Sequence, residues 1–164
     1  MSTLDPRPTL SSRALGLAAF VVAAVVAATT GVLAGTGAAE RYGDLVQPAW
    51  APPPSLFGPV WSVLYALIAV SGWLVWRRAG WSGARPALTV YAVQLGLNAL
   101  WTPLFFGAGL FGVAFAEIVL LAVAIVATIV LFARHSRLAA ALLVPYLAWV
   151  GFAAALNFAI WMLN

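Results

Sequence analysis

Five long apolar runs, separated by short gaps that hold nearly every charge, constrain this chain more than any other feature. A helix needs roughly 20 mostly apolar residues to cross a bilayer. The runs fall at about 14–34, 59–76, 86–106, 110–133 and 138–163, which predicts an all-α integral membrane protein with five transmembrane helices in a single domain. Composition agrees: 65% of residues are hydrophobic and 7% are charged, against about a quarter charged in a soluble domain. Such a chain cannot cover itself with polar surface, so its solvent is lipid. Pro59 and Pro86 suit the first turn of a helix, where the missing N–H costs nothing. Gly107 and Gly109 separate the third run from the fourth, and "RHSR" (134–137) separates the fourth from the fifth. Residues 1–13 read as a disordered tail and residues 35–58 as a loop. A cleaved signal peptide is the other reading of the first run, but signal cores span about 7–15 apolar residues and this run is longer.

The charges give orientation and exclude function classes. All eight basic residues are arginines. With five spans, Arg7, Arg13, Arg77, Arg78, Arg85, Arg134 and Arg137 share one side, and Arg41 stands on the other beside Glu40 and Asp44. The positive-inside rule then puts the amino terminus in the cytoplasm of a bacterial cell, with the first loop and the carboxyl terminus outside. The net charge of +4 does not point to nucleic acid, because the basic residues are scattered between apolar runs. The chain has no cysteine and one histidine, which excludes disulfides, thiolate sites and a multi-histidine metal centre within one chain. That histidine, His135, lies in the fourth loop and reads as a solvated residue rather than a haem ligand.

Depth along the spans groups the polar and aromatic residues. At about 1.5 Å per residue, Thr29, Thr30, Trp61, Tyr65, Asn98, Trp101, Glu117 and Asn157 fall in the outer half, and Trp149 near the middle. Intramembrane polar residues are costly, usually face inward and mark function by default. Their agreement in depth predicts a pocket opening outward beneath the first loop. That loop carries "WAPPPSLFGPVWSVLY" (50–65). Proline holds a shape without backbone ladders, so Pro52 and Pro53 read as a stiff lid and Trp50 and Trp61 as flat walls. Each residue also has a plain structural reading. Trp61 and Trp149 could fill the core; Asn98 and Asn157 could be interhelical glue; Glu117 could be a hydrogen-bonded structural acid, a proton site, or a partner for a ligand amine or pyrrole N–H. Trp73, Trp76 and Trp81 read as interfacial belt. Ala92 and Gly96 form a small-xxx-small pair, a weak signal in so alanine-rich a chain.

"WAPPPSLFGPVWSVLY", "YAVQLGLNALWTPLFF" (91–106) and "VPYLAWVGFAAALNF" (144–158), in this order, resemble the TspO family of tryptophan-rich sensory proteins, related to the mitochondrial translocator protein. The resemblance runs from the first span onward. It matches Trp50, Pro52 and Pro53 to the family's first-loop W-x-P-P, and Pro59, Trp61 and Tyr65 to the start of its second span. Asn98, Trp101 and Pro103 match the third span; Pro145, Tyr146, Trp149, Leu156 and Asn157 match the fifth. It implies a five-helix bundle, a possible homodimer, and a pocket lined by Trp61, Asn98, Trp149, Ala153 and Asn157. It also implies a ligand of the porphyrin type, such as protoporphyrin IX, with no required cofactor. The chain departs from the pattern at Ser55, where the family often carries a second tryptophan. No basic residue follows Arg137, so the sterol-recognition pattern of animal members is missing; a reversed match at Arg85, Tyr91 and Val93 is weak, and sterol binding is not expected. Three functions stand on these grounds: a receptor or carrier for a flat tetrapyrrole, a light-dependent porphyrin-degrading enzyme in which the porphyrin carries the photochemistry, and a proton-coupled transporter using Glu117. No inverted repeat is evident, which counts against the last.

Overall fold

The computed structural model describes residues 10–34 and 37–164, and among them every regular element is helical. In chain order they are α1 (Leu10–Ala34), α2 (Ala38–Asp44), α3 (Phe57–Gly83), α4 (Arg85–Thr102), α5 (Phe111–Ala133), α6 (Arg137–Leu142) and α7 (Val144–Leu163). A 3-10 turn (Pro54–Leu56) leads into α3, and a π turn (Pro103–Gly107) closes α4. By length and apolarity, four stretches are able to cross a membrane: 13–31, 54–83, 111–133 and 137–163. The long helix outside that set is α4, and the reason is its interior. Tyr91, Gln94 and Asn98 lower its apolarity, yet all three are buried, so lipid does not meet them. α5 packs against α4 on one side and α7 on the other, while α1 lies across α3 and α4.

The predicted spans differ from the helices at their ends. Residues 1–9 of the predicted tail, with Arg7, lie outside the described residues, and residues 10–13 are already the first turn of α1. The predicted loop is partly ordered into α2 and the 3-10 turn. α3 runs past Trp76 to Gly83, bending at Gly80, whose φ of 65° and ψ of −176° interrupt the helix. That is a conformation glycine adopts without the Cβ penalty. The fifth run is split: α6 is capped by Ser136, whose Oγ accepts from the Ala139 N–H at 3.2 Å, and Pro145 starts α7 within its first turn.

Close backbone approach sets how α1 leans on the bundle. Gly16 faces the Trp76 ring, and a Cβ on Gly72 would meet Phe20 at 2.7 Å and Tyr91 at 2.9 Å. The Trp73 Nε1–H donates to the Arg13 carbonyl at 3.0 Å at the same end. Toward the other end α1 turns to α4, where Gly31 lies against Thr102. Thus α1 and α3 meet at the arginine-rich end and part toward the loop end. The space they leave is the site.

Candidate ligand cavity

A cavity of about 870 Å³ fills that space, within the roughly 300–1,000 Å³ range of small-molecule sites. α1 contributes Leu17, Val21, Ala24, Val25, Ala28 and Gly31, and α2 contributes Ala38, Ala39 and Tyr42. From α3 come Phe57, Trp61, Ser62, Tyr65, Ala66, Ala69 and Val70; from α4 and its π turn, Asn98, Trp101, Thr102 and Phe106. Ile118 and Leu121 of α5 and Trp149, Val150 and Ala153 of α7 close it.

Of the residues singled out in the sequence, Trp61, Tyr65, Asn98, Trp101, Trp149 and Ala153 are on this lining; Trp50, Pro52, Pro53, Glu117, Tyr146 and Asn157 are not. Of the second group, Tyr146 and Asn157 hold Asn98 and Trp101 in place. The Tyr65 hydroxyl donates to Asn98 Oδ1 at 2.6 Å. Asn98 Nδ2 donates to the Tyr146 hydroxyl at 3.1 Å, which in turn donates to Gln94 Oε1 at 2.9 Å. This chain ties α3, α4 and α7 behind the wall. A second one runs from Trp101 Nε1 to Asn157 Oδ1 at 3.1 Å and from Asn157 Nδ2 to the Phe111 carbonyl at 2.9 Å. Asn157 therefore sets the plane of the Trp101 indole. Trp101 also stacks on Phe105, ring centroids 4.9 Å apart.

The loop above is held by aromatic and polar contacts. Trp50, half-exposed, meets Phe152 edge-on at 5.7 Å, and Phe152 lies 5.5 Å from Trp149. Phe57 stands between Tyr42 at 5.5 Å and Trp149 at 5.9 Å. Burial raises the Tyr42 phenol above its ordinary value, so it remains a donor, to the Pro52 carbonyl at 3.2 Å. Pro53 precedes the 3-10 turn in extended conformation, as φ fixed by the ring allows. Arg41 Nη1 donates to the Phe106 carbonyl at 2.6 Å. The Asn164 side chain accepts from the Val46 N–H and donates to its carbonyl, both at 3.1 Å.

Trp61 lies 5.4 Å from Tyr65 and 6.2 Å from Tyr146, ring to ring. Trp149 Nε1 is buried without a hydrogen-bond partner. Gln94 Nε2 and both Glu117 carboxyl oxygens are also buried and unpartnered. No group of three or more metal-ligating side chains occurs among the described residues. The lining is hydrocarbon and ring faces with a few hydroxyl, amide and indole groups, a surface that stacks on a flat apolar molecule.

Sequence reasoning missed the α1 face. Its signal was present: Leu17, Val21, Ala24, Ala28 and Gly31 recur at three- and four-residue spacing, with small side chains toward the far end. Tyr42 had no local pattern to mark it, because the helix that carries it is only seven residues long.

The model of the TspO/MBR family matches residues 18–162. The chain belongs to the TspO/MBR family. It is 43% identical to the tryptophan-rich protein TspO of Archaeoglobus fulgidus over 75% of this chain and 79% of that one. It is 41% identical to the human translocator protein, over 75% and 74%, and 40% identical to the protein CrtK of Rhodobacter capsulatus, over 90% and 91%. The chain is thus an all-helical integral membrane protein of this family.

Proposed function

We propose that this protein is a membrane receptor or carrier for a flat tetrapyrrole of the porphyrin type, held between α1, α3, α4 and α7. The observation that carries the reading is the cavity of about 870 Å³ walled by Trp61, Tyr65, Trp101 and Trp149. Ring faces bind a planar conjugated ligand with little entropy loss, since indole and phenol have few rotors. Asn98 supplies a polar contact already oriented by Tyr65 and Tyr146. The related tryptophan-rich sensory protein of Cereibacter sphaeroides, 37% identical, carries sensing in its name, and a sensing role fits a site of this kind.

The protein lies in a bacterial cell membrane with its amino terminus in the cytoplasm. Arg13, Arg77, Arg78, Arg85, Arg134 and Arg137 all fall at the ends of helices on one side, which favours that side being cytoplasmic. The cavity and its loop then sit in the outer half.

The test is a titration of the purified protein with protoporphyrin IX in detergent, in the dark, followed by tryptophan fluorescence. Saturable quenching that weakens in Trp61→Phe is the expected result. Linear quenching, the same in both proteins, refutes the site. Light-dependent breakdown is the second reading, favoured by the adjacent Trp61, Tyr65 and Tyr146 rings, which are oxidisable. Illumination in air should bleach bound porphyrin faster with wild type than with Trp61→Phe if it holds.

A further inference from the structure

The cavity is open sideways. Several of its lining residues are also on the outer surface of the bundle: Val21 is 43% and Val25 55% exposed on α1, and Val70 is 37% exposed on α3, with Ser62 and Ala66 exposed beside it. Ser62, Ala66 and Val70 recur every four residues on α3 and line the same cavity as Val21 and Val25 of α1, so they form two lips of one slot. The slot lies within the apolar stretches 13–31 and 54–83, at the depth of lipid chains rather than above the membrane. Its polar groups are turned in on themselves. The Ser62 hydroxyl donates to the Gly58 carbonyl, and those of Thr29 and Thr30 donate to carbonyls of α1. The slot therefore presents hydrocarbon to hydrocarbon.

We propose that the ligand reaches the cavity laterally, from the bilayer, between α1 and α3, and that the proline-rich loop is a fixed roof rather than the door. This rests on the ligand reading above and narrows it to molecules that dissolve in lipid. Three features of the fold support the direction. α1 is the least buried of the four long apolar stretches, with 17% of its window inside the bundle against 33–39% for the others. Against α3 it is fastened at one end, by Gly16 against Trp76, Phe20 against Gly72, and the Trp73 bond to Arg13, while its other end lies on α4 with Gly31 against Thr102. The loop, by contrast, is tied down by Arg41 to Phe106, Tyr42 to Pro52 and Asn164 to Val46. Opening the slot separates apolar side chains that lipid can replace, whereas opening the roof breaks these hydrogen bonds.

Ala66→Phe and Val25→Phe each place a ring in the slot, and Asn164→Ala loosens the roof. All are reconstituted in phosphatidylcholine vesicles, and protoporphyrin IX is supplied from the lipid. In both slot variants uptake and release should slow together, by roughly tenfold, as a passage that must now distort requires; Asn164→Ala should leave both rates as in wild type. Exchange quickened by Asn164→Ala, or release accelerated with uptake unchanged in the slot variants, overturns the proposal. A second measurement separates the route from the ligand. In vesicles of lipid with brominated acyl chains and no porphyrin, tryptophan quenching should fall in Ala66→Phe relative to wild type. Equal quenching overturns the slot. If wild type shows no saturable porphyrin binding, the ligand reading fails and this second measurement alone decides the route.

Discussion

Replacing Tyr146 by phenylalanine removes one oxygen and nothing else, and its cost follows from the bonds that oxygen makes. Tyr146 is fully buried. Its hydroxyl donates to Gln94 Oε1 at 2.9 Å and accepts from Asn98 Nδ2 at 3.1 Å. Interhelical hydrogen bonds in membranes contribute about 0.6 kcal/mol each, so two give about 1.2 kcal/mol as a lower figure. The groups left behind add to this. Gln94 Nε2 already has no partner, so the whole Gln94 amide would be stranded, and a buried unpaired group costs about 1–3 kcal/mol. We expect Tyr146→Phe to lower stability by about 2 kcal/mol, a factor of about 30 in the unfolding equilibrium. Reversible unfolding in mixed detergent–SDS micelles, followed by far-UV circular dichroism, reads this directly. Gln94→Leu in the same background should restore part of the loss, because removing both partners is milder than removing one. A Tyr146→Phe protein within about 0.3 kcal/mol of wild type, or a double variant whose losses simply add, would refute the network.

Gly72→Leu should destabilise by about 1–3 kcal/mol through overpacking, since its first side-chain atom alone would lie 2.7 Å from Phe20; the same unfolding assay checks it. Ser71→Ala removes the 2.7 Å bond from its hydroxyl to the Ala139 carbonyl, which joins α3 to α6, and should cost about 0.6–1.7 kcal/mol without changing porphyrin affinity in the fluorescence titration.

The bundle was legible because lipid imposes a length on every helix that crosses it, and the runs around 14–34, 110–133 and 138–163 all reach that length. The helix ends were less so. Nothing in "RRAGWSG" (77–83) marks α3 as continuing, because the continuation depends on Gly80 adopting a positive φ and on Trp81 folding back over Phe20, ring centroids 5.9 Å apart. Both are tertiary facts. α2 is similar: a seven-residue helix has too few turns for a periodic signal, and contacts to Phe57 and Phe106 hold it.

Depth predicted which polar residues would gather, but it could not say which would face the cavity. Helical phase decides that, and adjacent depths can lie on opposite sides of one wall. Asn98 and Tyr146 belong to one hydrogen-bonded chain, yet only Asn98 reaches the lining. Asn157 and Trp101 are bonded partners, and only Trp101 does. At Asn157 the arrangement has a physical logic. A bare amide facing an apolar ring would be left unsatisfied whenever the ligand arrived, at a cost of about 1–3 kcal/mol. Behind the wall, the same amide keeps its partners whether the cavity is filled or not, and it spends its bonds holding a ring face in position. Glu117 stands apart from this pattern: it is buried, off the lining, and neither of its oxygens has a partner among the described residues.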